Sequence, residues 1–358
     1  AVGGPGAVFW MWVSAFFGMA TAFGEAVLAQ KFRRKVDGTV TGGPVYYIKA
    51  AFPGLGGRLL AVIFAFLVVF SMGFVGAMVQ SNAIGESFQA AFGMPPLYTG
   101  IAVALLCFVS FSGGIRRLAA LTGRLVPVMA LFYMLGSAFV LFRFRENLLP
   151  ALSSIFVGAF APQALAGGIV GVTAKKVMRL GLARGLFSHE AGVGSTPHAH
   201  AVARVEHPVQ QGYVAMLGVF IDTFVILTLT ALVILVTGVL TPDASLTGAA
   251  LTQAGFSAVL GKWGGPFIAL CIFFFAFSSL LGWYFFGAAN ARYLFGKLGI
   301  APYRLGVCLC VFLGALMDVG KMWELADLCC GLMALPNLAA LLALSGLSAS
   351  LLREYRGR

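Results

Sequence analysis

Charge is scarce in this sequence, and acid is scarcer still. Charged residues make up 10% of the 358, with 12 Asp and Glu against 24 Lys and Arg. A soluble domain carries about 25% charge and about 45–50% apolar residues. At 60% hydrophobic and mean hydropathy +0.95, a soluble globular protein is excluded. Cysteine and histidine are also few. Cys107, Cys271, Cys308, Cys310, Cys329 and Cys330 all lie inside apolar runs without metal-type spacing, so they read as small packing residues. The four histidines fall between His189 and His207. His189-Glu190 lacks the second histidine of a zinc-protease helix, because that position is Val193. His198 and His200 are two apart and face different sides of a helix. Gly192-Val-Gly194 has neither a Walker lysine nor a strand before it, which argues against a nucleotide site. Residues Ala1 to Gly6 hold no methionine and no basic run, so no signal peptide is visible and the chain reads as a fragment. The net charge of +12 would suggest nucleic acid on a soluble protein. Here the basic residues cluster between apolar runs, and membrane topology explains them without a nucleic-acid partner.

What is present is a series of long apolar runs. A membrane span needs about 20 such residues. Runs occur at Val8–Phe32, Leu59–Ala91, Leu97–Ser112, Leu125–Phe142, Val214–Leu240, Phe267–Phe295, Leu305–Met317 and Leu325–Leu352. Thr241–Gly265 reads as a polar connection too long for a simple turn. One further span must lie between Arg145 and Arg204, giving about nine. If the chain starts outside, sixteen of the 24 basic residues fall on inner loops, including Lys31, Arg33, Arg34, Lys35, Arg204, Arg292 and Lys297. The rule that basic loops stay inside then places the C-terminus in the cytoplasm.

Gly185-Leu-Phe-Ser-His-Glu-Ala-Gly-Val-Gly-Ser-Thr-Pro197 is the anomaly: polar, glycine-rich and closed by proline between apolar runs. Such a segment is tolerated in a bilayer only where its freed backbone groups are buried in protein or line a cavity. The missing span is either Ile155–Val172, which hydropathy and the basic flank of Lys175, Lys176 and Arg179 favour, or a discontinuous one from about Thr173 to Val202, broken at Ser188–Ser195, and the sequence leaves the two close. A half-helix end offers N–H groups and a positive dipole end to an anion, while unwound carbonyls suit a cation. Together these describe a site for a zwitterion with sodium. Among the intramembrane acids, Glu25 reads as a helix-end ion pair beside Lys31, Glu86 as a solvated face, and Asp222 as evenly split between helix packing and function. Gln80-Ser81-Asn82 interrupts an apolar helix, where amides either glue helices or bind a solute. Ser278 and Ser279 either back-bond to their helix or ligate sodium. Trp283 reads as a pocket wall.

At these residues a resemblance emerges. Gly3–Trp12 (Gly-Gly-Pro-Gly-Ala-Val-Phe-Trp-Met-Trp), Gly42–Ile48, Phe160–Gln163, Arg184–Ser195, His207–Gly212, Leu217–Asp222, Phe275–Trp283 and Gly331–Asn337 are similar to segments of the sodium:alanine (alanine or glycine:cation) symporters. The resemblance covers essentially the whole chain. It implies an all-α polytopic membrane protein with an inverted-repeat, leucine-transporter-like bundle. This chain would lack the first core helix, and with it half of the substrate and sodium shell. Residues 1–145 would be the remainder of the first repeat, 146–172 an external or re-entrant connection, and 173–358 the second repeat. The repeat logic favours the discontinuous span at Thr173–Val202.

The resemblance further implies a non-enzymatic, sodium-coupled symporter for alanine or glycine in a bacterial-type inner membrane, monomeric and without a cofactor beyond the coupling ion. Gln80, Phe187, Ser188, Glu190, Gly192, Gly194, Ser195 and Trp283 would bind the amino acid, and Ser278 and Ser279 the sodium. The alternatives are proton coupling or a fragment that does not transport. The chain departs from the family pattern at His189, Val193 and Ser279, where asparagine, methionine and threonine are usual. His189 bears on selectivity or pH response, whereas Ser279 keeps an oxygen ligand.

Overall fold

The computed structural model describes residues 3–161, 173–240, 246–317 and 320–357. Helix dominates because apolar runs without side-chain hydrogen bonding must satisfy their backbone internally. Helix α1 (Gly6–Lys31) is followed by a hairpin, β1 (Arg34–Val36) and β2 (Thr39–Thr41), then α2 (Pro44–Ala51). The strands pair antiparallel, Arg34 opposite Thr41 and Val36 opposite Thr39. Asp37 and Gly38 both have positive φ, as a two-residue primed turn requires. The hairpin and α2 were not read from the sequence, although Asp-Gly was a visible turn signal.

Helix α3 (Leu55–Val68), a π-helical stretch Val69–Gly76 and α4 (Ala77–Phe92) form one continuous run. Next come α5 (Pro96–Ser112), α6 (Gly114–Arg143) and α7 (Leu148–Phe160). Residues 162–172, which hold part of the expected connection and of the Phe160–Gln163 segment, lie outside the described residues. Helix α8 (Ala174–His189) stops short of α9 (Pro197–Val202). A second π-helical stretch, Ile221–Leu227, lies between α10 (Pro208–Phe220) and α11 (Thr228–Val236). The remainder is α12 (Gly248–Leu260), α13 (Gly264–Phe295), α14 (Ile300–Leu316), α15 (Gly320–Ala343) and α16 (Ser345–Arg356).

Two expectations need correction. Thr241–Gly265 is no plain connection, because α12 occupies most of it; the helix packs along α13 and buries Leu251 and Phe256. The last apolar run does not continue to Leu352. It ends at Ala343, and Leu344 turns the chain into the separate α16, where polar residues occupy one face. Among the described residues, six helical runs are long and apolar enough to cross a membrane. One of them, Gly248–Leu316, spans 69 residues and contains α12, α13 and α14.

Large apolar side chains cover the outside. Phe17 and Phe142 are 68% exposed and Leu342 is 76% exposed, a surface that water would not tolerate and acyl chains would. Inside, α4, α5, α13 and α14 share one apolar core. A second core links α2, α3, α13 and α15, and Val193 of the α8–α9 interruption is buried in it. Helix α1 packs along α8 and α10, so the interruption is enclosed from several sides.

Candidate functional site

The interruption starts at Glu190, whose left-handed backbone (φ 53°) ends α8. Val193 N–H then donates to Glu190 O at 3.1 Å. Gly192 and Gly194 both have φ +87°. A Cβ on Gly194 would lie 2.8 Å from the Phe64 ring and 3.0 Å from Asn337, so both conformation and space demand glycine there.

The freed backbone donors do meet a carboxyl group, and it belongs to the protein itself. Gly192 N–H donates to Glu25 Oε2 at 3.1 Å and Gly194 N–H to Glu25 Oε1 at 3.0 Å. Asn337 Nδ2 donates to Glu25 Oε1 at 2.6 Å and to Gly192 O at 3.0 Å. Tyr47 OH in turn donates to Asn337 Oδ1. Glu25 is fully buried. Its reading as a helix-end partner of Lys31 is therefore overturned: the side chain faces the interior and braces the interruption. Sequence reasoning also missed Asn337 and Tyr47 as members of this set.

Glu190 points elsewhere. Its carboxylate accepts from Trp283 Nε1 at 2.6 Å and from Ser195 Oγ. Trp283 packs on Gly76 at the end of the first π-helical stretch, where a Cβ would come within 2.7 Å of the indole. Gln80 stands one turn further along α4, on the same face as Gly76. Phe187 meets the Trp283 ring edge-on at 5.9 Å and the Trp323 ring at 4.9 Å. The Arg184 guanidinium lies over Trp323 at 4.8 Å and pairs with Asp327, a link between α8 and α15 that the sequence did not reveal. Ser188 Oγ donates to Asp222 Oδ2 at 2.9 Å, and Asp222 sits in the second π-helical stretch. Such stretches recur at functional sites, and neither was legible in the sequence. Asn82 serves as helix glue, donating to Met317 O at 2.8 Å.

The histidine tautomers follow from their partners. Ala191 N–H donates to His189 Nδ1 at 3.1 Å, so Nε2 carries the hydrogen toward Ser14 Oγ at 3.0 Å. His198 Nδ1–H donates to Ser195 O at 2.7 Å, and Nε2 accepts from Asn290 Nδ2 at 2.8 Å. Both rings are neutral pins on the two sides of the interruption. Ser278 and Ser279 donate to Phe275 O at 2.8 and 3.1 Å. Their hydroxyl hydrogens are thus engaged, while lone pairs on both oxygens remain for a cation.

Among the described residues, Glu25, Glu190 and Asp222 have no basic group within 4 Å. A buried acid, Glu25, and two half-buried ones, Glu190 and Asp222, served by neutral donors at a helix interruption within a multi-pass helical membrane protein, fit the class of membrane carriers. The sodium:alanine symporter family matches residues 1–358, and the chain belongs to that family. Relatives of known name agree. A protein of Methanococcus maripaludis named sodium/alanine symporter AgcS is 42% identical over 353 residues, 98% of this chain and 77% of the relative. The amino-acid carrier protein AlsT of Bacillus subtilis is 39% identical over 356 residues, 99% of this chain and 74% of its own. The probable sodium/glutamine symporter GlnT of the same organism is 39% identical over 357 residues, covering 99% and 73%. These relatives are transporters, not enzymes.

Proposed function

We propose that the chain carries a small neutral amino acid, alanine or glycine, inward together with sodium, and binds it at the α8–α9 interruption. The supporting observation is Glu190, a carboxylate without a basic partner among the described residues, beside the aromatic walls Phe187 and Trp283. An ionised carboxylate offers about four acceptor positions. Glu25 receives three donors and Glu190 two. Glu190 therefore has the greater capacity for an incoming ammonium group, and Glu25 keeps the brace. Ser188 and Ser195 offer hydroxyls, Gln80 an amide, and Gly192 and Gly194 the turn that brings them close. Ser278 and Ser279 supply oxygen ligands for sodium. The aromatic walls limit side-chain size, which favours alanine over the glutamine in the name of one relative. Coupling follows if both ligands stabilise the same conformer.

The wider frame of this reading is a leucine-transporter-like inverted repeat with about nine spans. Its first repeat would run to residue 145 and its second begin at 173, in a monomer with the N-terminal end outside and the C-terminus inside. Proton coupling is the rival reading, since carboxylates without cationic partners can also take protons. Uptake of radiolabelled alanine into proteoliposomes tests both. We expect accumulation driven by an inward sodium gradient at symmetric pH. Accumulation driven by a proton gradient alone would favour the rival, and absence of gradient-driven uptake would defeat the symport reading.

A further inference from the structure

A cavity of about 640 Å³ opens beside the end of α1, away from the carrier site. Two distant segments form it: Arg33, Arg34 and Lys35 from the start of the hairpin, and Arg204 and Glu206 from the loop after α9. Four basic side chains thus share one concavity with a single acidic one. Among the described residues, none of the four lies within 4 Å of a carboxylate. Asp37, at the hairpin tip, is claimed from the other side by Arg292 and by Lys297 at 3.5 Å. The rule that basic loops stay inside calls for positive charge on this face, but it does not call for charges from separate segments to converge on one hollow. Like charges held together repel, and the repulsion is relieved by a bound anion.

The cavity is also built rather than casual. Arg33 Nη1 donates to Gln30 Oε1 at 2.8 Å and to Ala203 O at 3.2 Å. Gln30 Nε2 donates to Ala203 O at 3.0 Å and also to His200 O. These bonds cap the C-terminal carbonyls of α9 and fix the cavity wall, while Arg34, Lys35 and Arg204 remain exposed. Guanidinium groups match phosphate oxygens in bidentate geometry, and an ammonium adds a point charge.

We propose that this cavity binds a phosphate-bearing anion, which bridges the hairpin to the loop leaving α9. The shared chemistry is the phosphate group, carried either by an anionic phospholipid headgroup or by a soluble phosphate compound. A bound anion would hold the loop next to the interrupted helix, and in that way could set how readily α9 moves.

The test uses the purified full chain, first in neutral detergent with inorganic phosphate and glycerol 3-phosphate. It then uses nanodiscs of phosphatidylcholine with or without phosphatidylglycerol. Thermal unfolding and binding are read at constant ionic strength, with chloride as the control anion. Saturable stabilisation by the phosphate compounds in detergent identifies a soluble occupant, and stabilisation only by phosphatidylglycerol identifies a lipid. The double variant Arg34→Gln/Lys35→Gln should weaken the effective binding roughly tenfold or more. The control Arg58→Gln/Arg353→Gln removes equal charge outside the cavity and should leave it unchanged. Absence of stabilisation by every phosphate probe would overturn the proposal. So would equal weakening in both doubles, or full retention in the cavity double.

Discussion

Replacing Glu25 with glutamine tests the brace on which the site rests. In the native arrangement both carboxylate oxygens accept: Oε2 from Gly192 N–H, and Oε1 from Gly194 N–H and Asn337 Nδ2. A glutamine side chain has one acceptor oxygen. Placed at Oε1, it keeps two of the three bonds and turns its NH₂ group toward the Gly192 donor. Gly192 N–H is then buried without an acceptor, at a cost of about 1–3 kcal/mol. For a chain of this size that is a few degrees of Tm. The loss falls on the interruption itself, so sodium-driven alanine uptake should drop by about fivefold or more. Glu25→Asp keeps both oxygens but shortens the reach, and should lie between glutamine and wild type. Differential scanning fluorimetry in detergent and uptake into proteoliposomes provide the two readings. Wild-type melting together with wild-type uptake in Glu25→Gln would refute the brace.

Two further outcomes follow from the same geometry. His189→Asn should melt and transport closer to wild type than His189→Leu, because an asparagine Oδ1 takes the Nδ1 position and accepts from Ala191 N–H while the bond to Ser14 from Nε2 is lost; His189→Leu should lose about 1–3 kcal/mol in the same melts, and equal behaviour of the two variants would argue against the pinning. The Asp37 carboxyl is held below its ordinary value of 3.8 by the hydrogen bond from Arg292, against the opposing effect of desolvation and with Lys297 assisting. A lowered folded value means that the clamp is fully present above about 3.8 and is lost as pH falls through the folded value. Hydrogen exchange across the hairpin should thus show lost protection in strong acid for wild type and no such pH dependence for Asp37→Asn, and matching profiles would contradict this.

Much of the fold was legible because the bilayer permits so little. Apolar length and basic flanks located several of the long helices within a few residues, as with Pro96–Ser112 against the expected Leu97–Ser112, although the run expected at Leu125–Phe142 begins eleven residues earlier, at Gly114. The failures have physical causes. The run from Leu325 to Leu352 stays apolar on average, so hydropathy cannot register the turn at Leu344, which depends on backbone angles and on which face of α16 is polar. The π-helical stretches carry ordinary membrane composition, Val-Phe-Ser-Met-Gly-Phe-Val-Gly in one case. What distinguishes the first is tertiary: its Gly76 lies against the Trp283 ring, a contact that local composition does not record.

The two glutamates of the site show where sequence reading ends. Glu190 was identifiable because its context is local: Gly192, Gly194 and Pro197 lie within seven positions, and such residues in a membrane run require an explanation. Glu25 has no local signal. It follows Gly24 in an unbroken helix, six residues before Lys31, and a terminal ion pair is the simplest reading. Its partners lie 167, 169 and 312 positions away. Only the packing of α1 against α8 and α15 brings the carboxylate to the interruption. The half-helix donors expected to meet a substrate carboxylate are instead engaged by a carboxyl group from within the fold. That changes how the site must work. With Gly192 and Gly194 already donating to Glu25, a substrate carboxylate has to find other donors or displace the brace. Displacement would leave a buried acid with one donor, which is costly, so the substrate's negative end is expected to meet groups other than these two backbone amides.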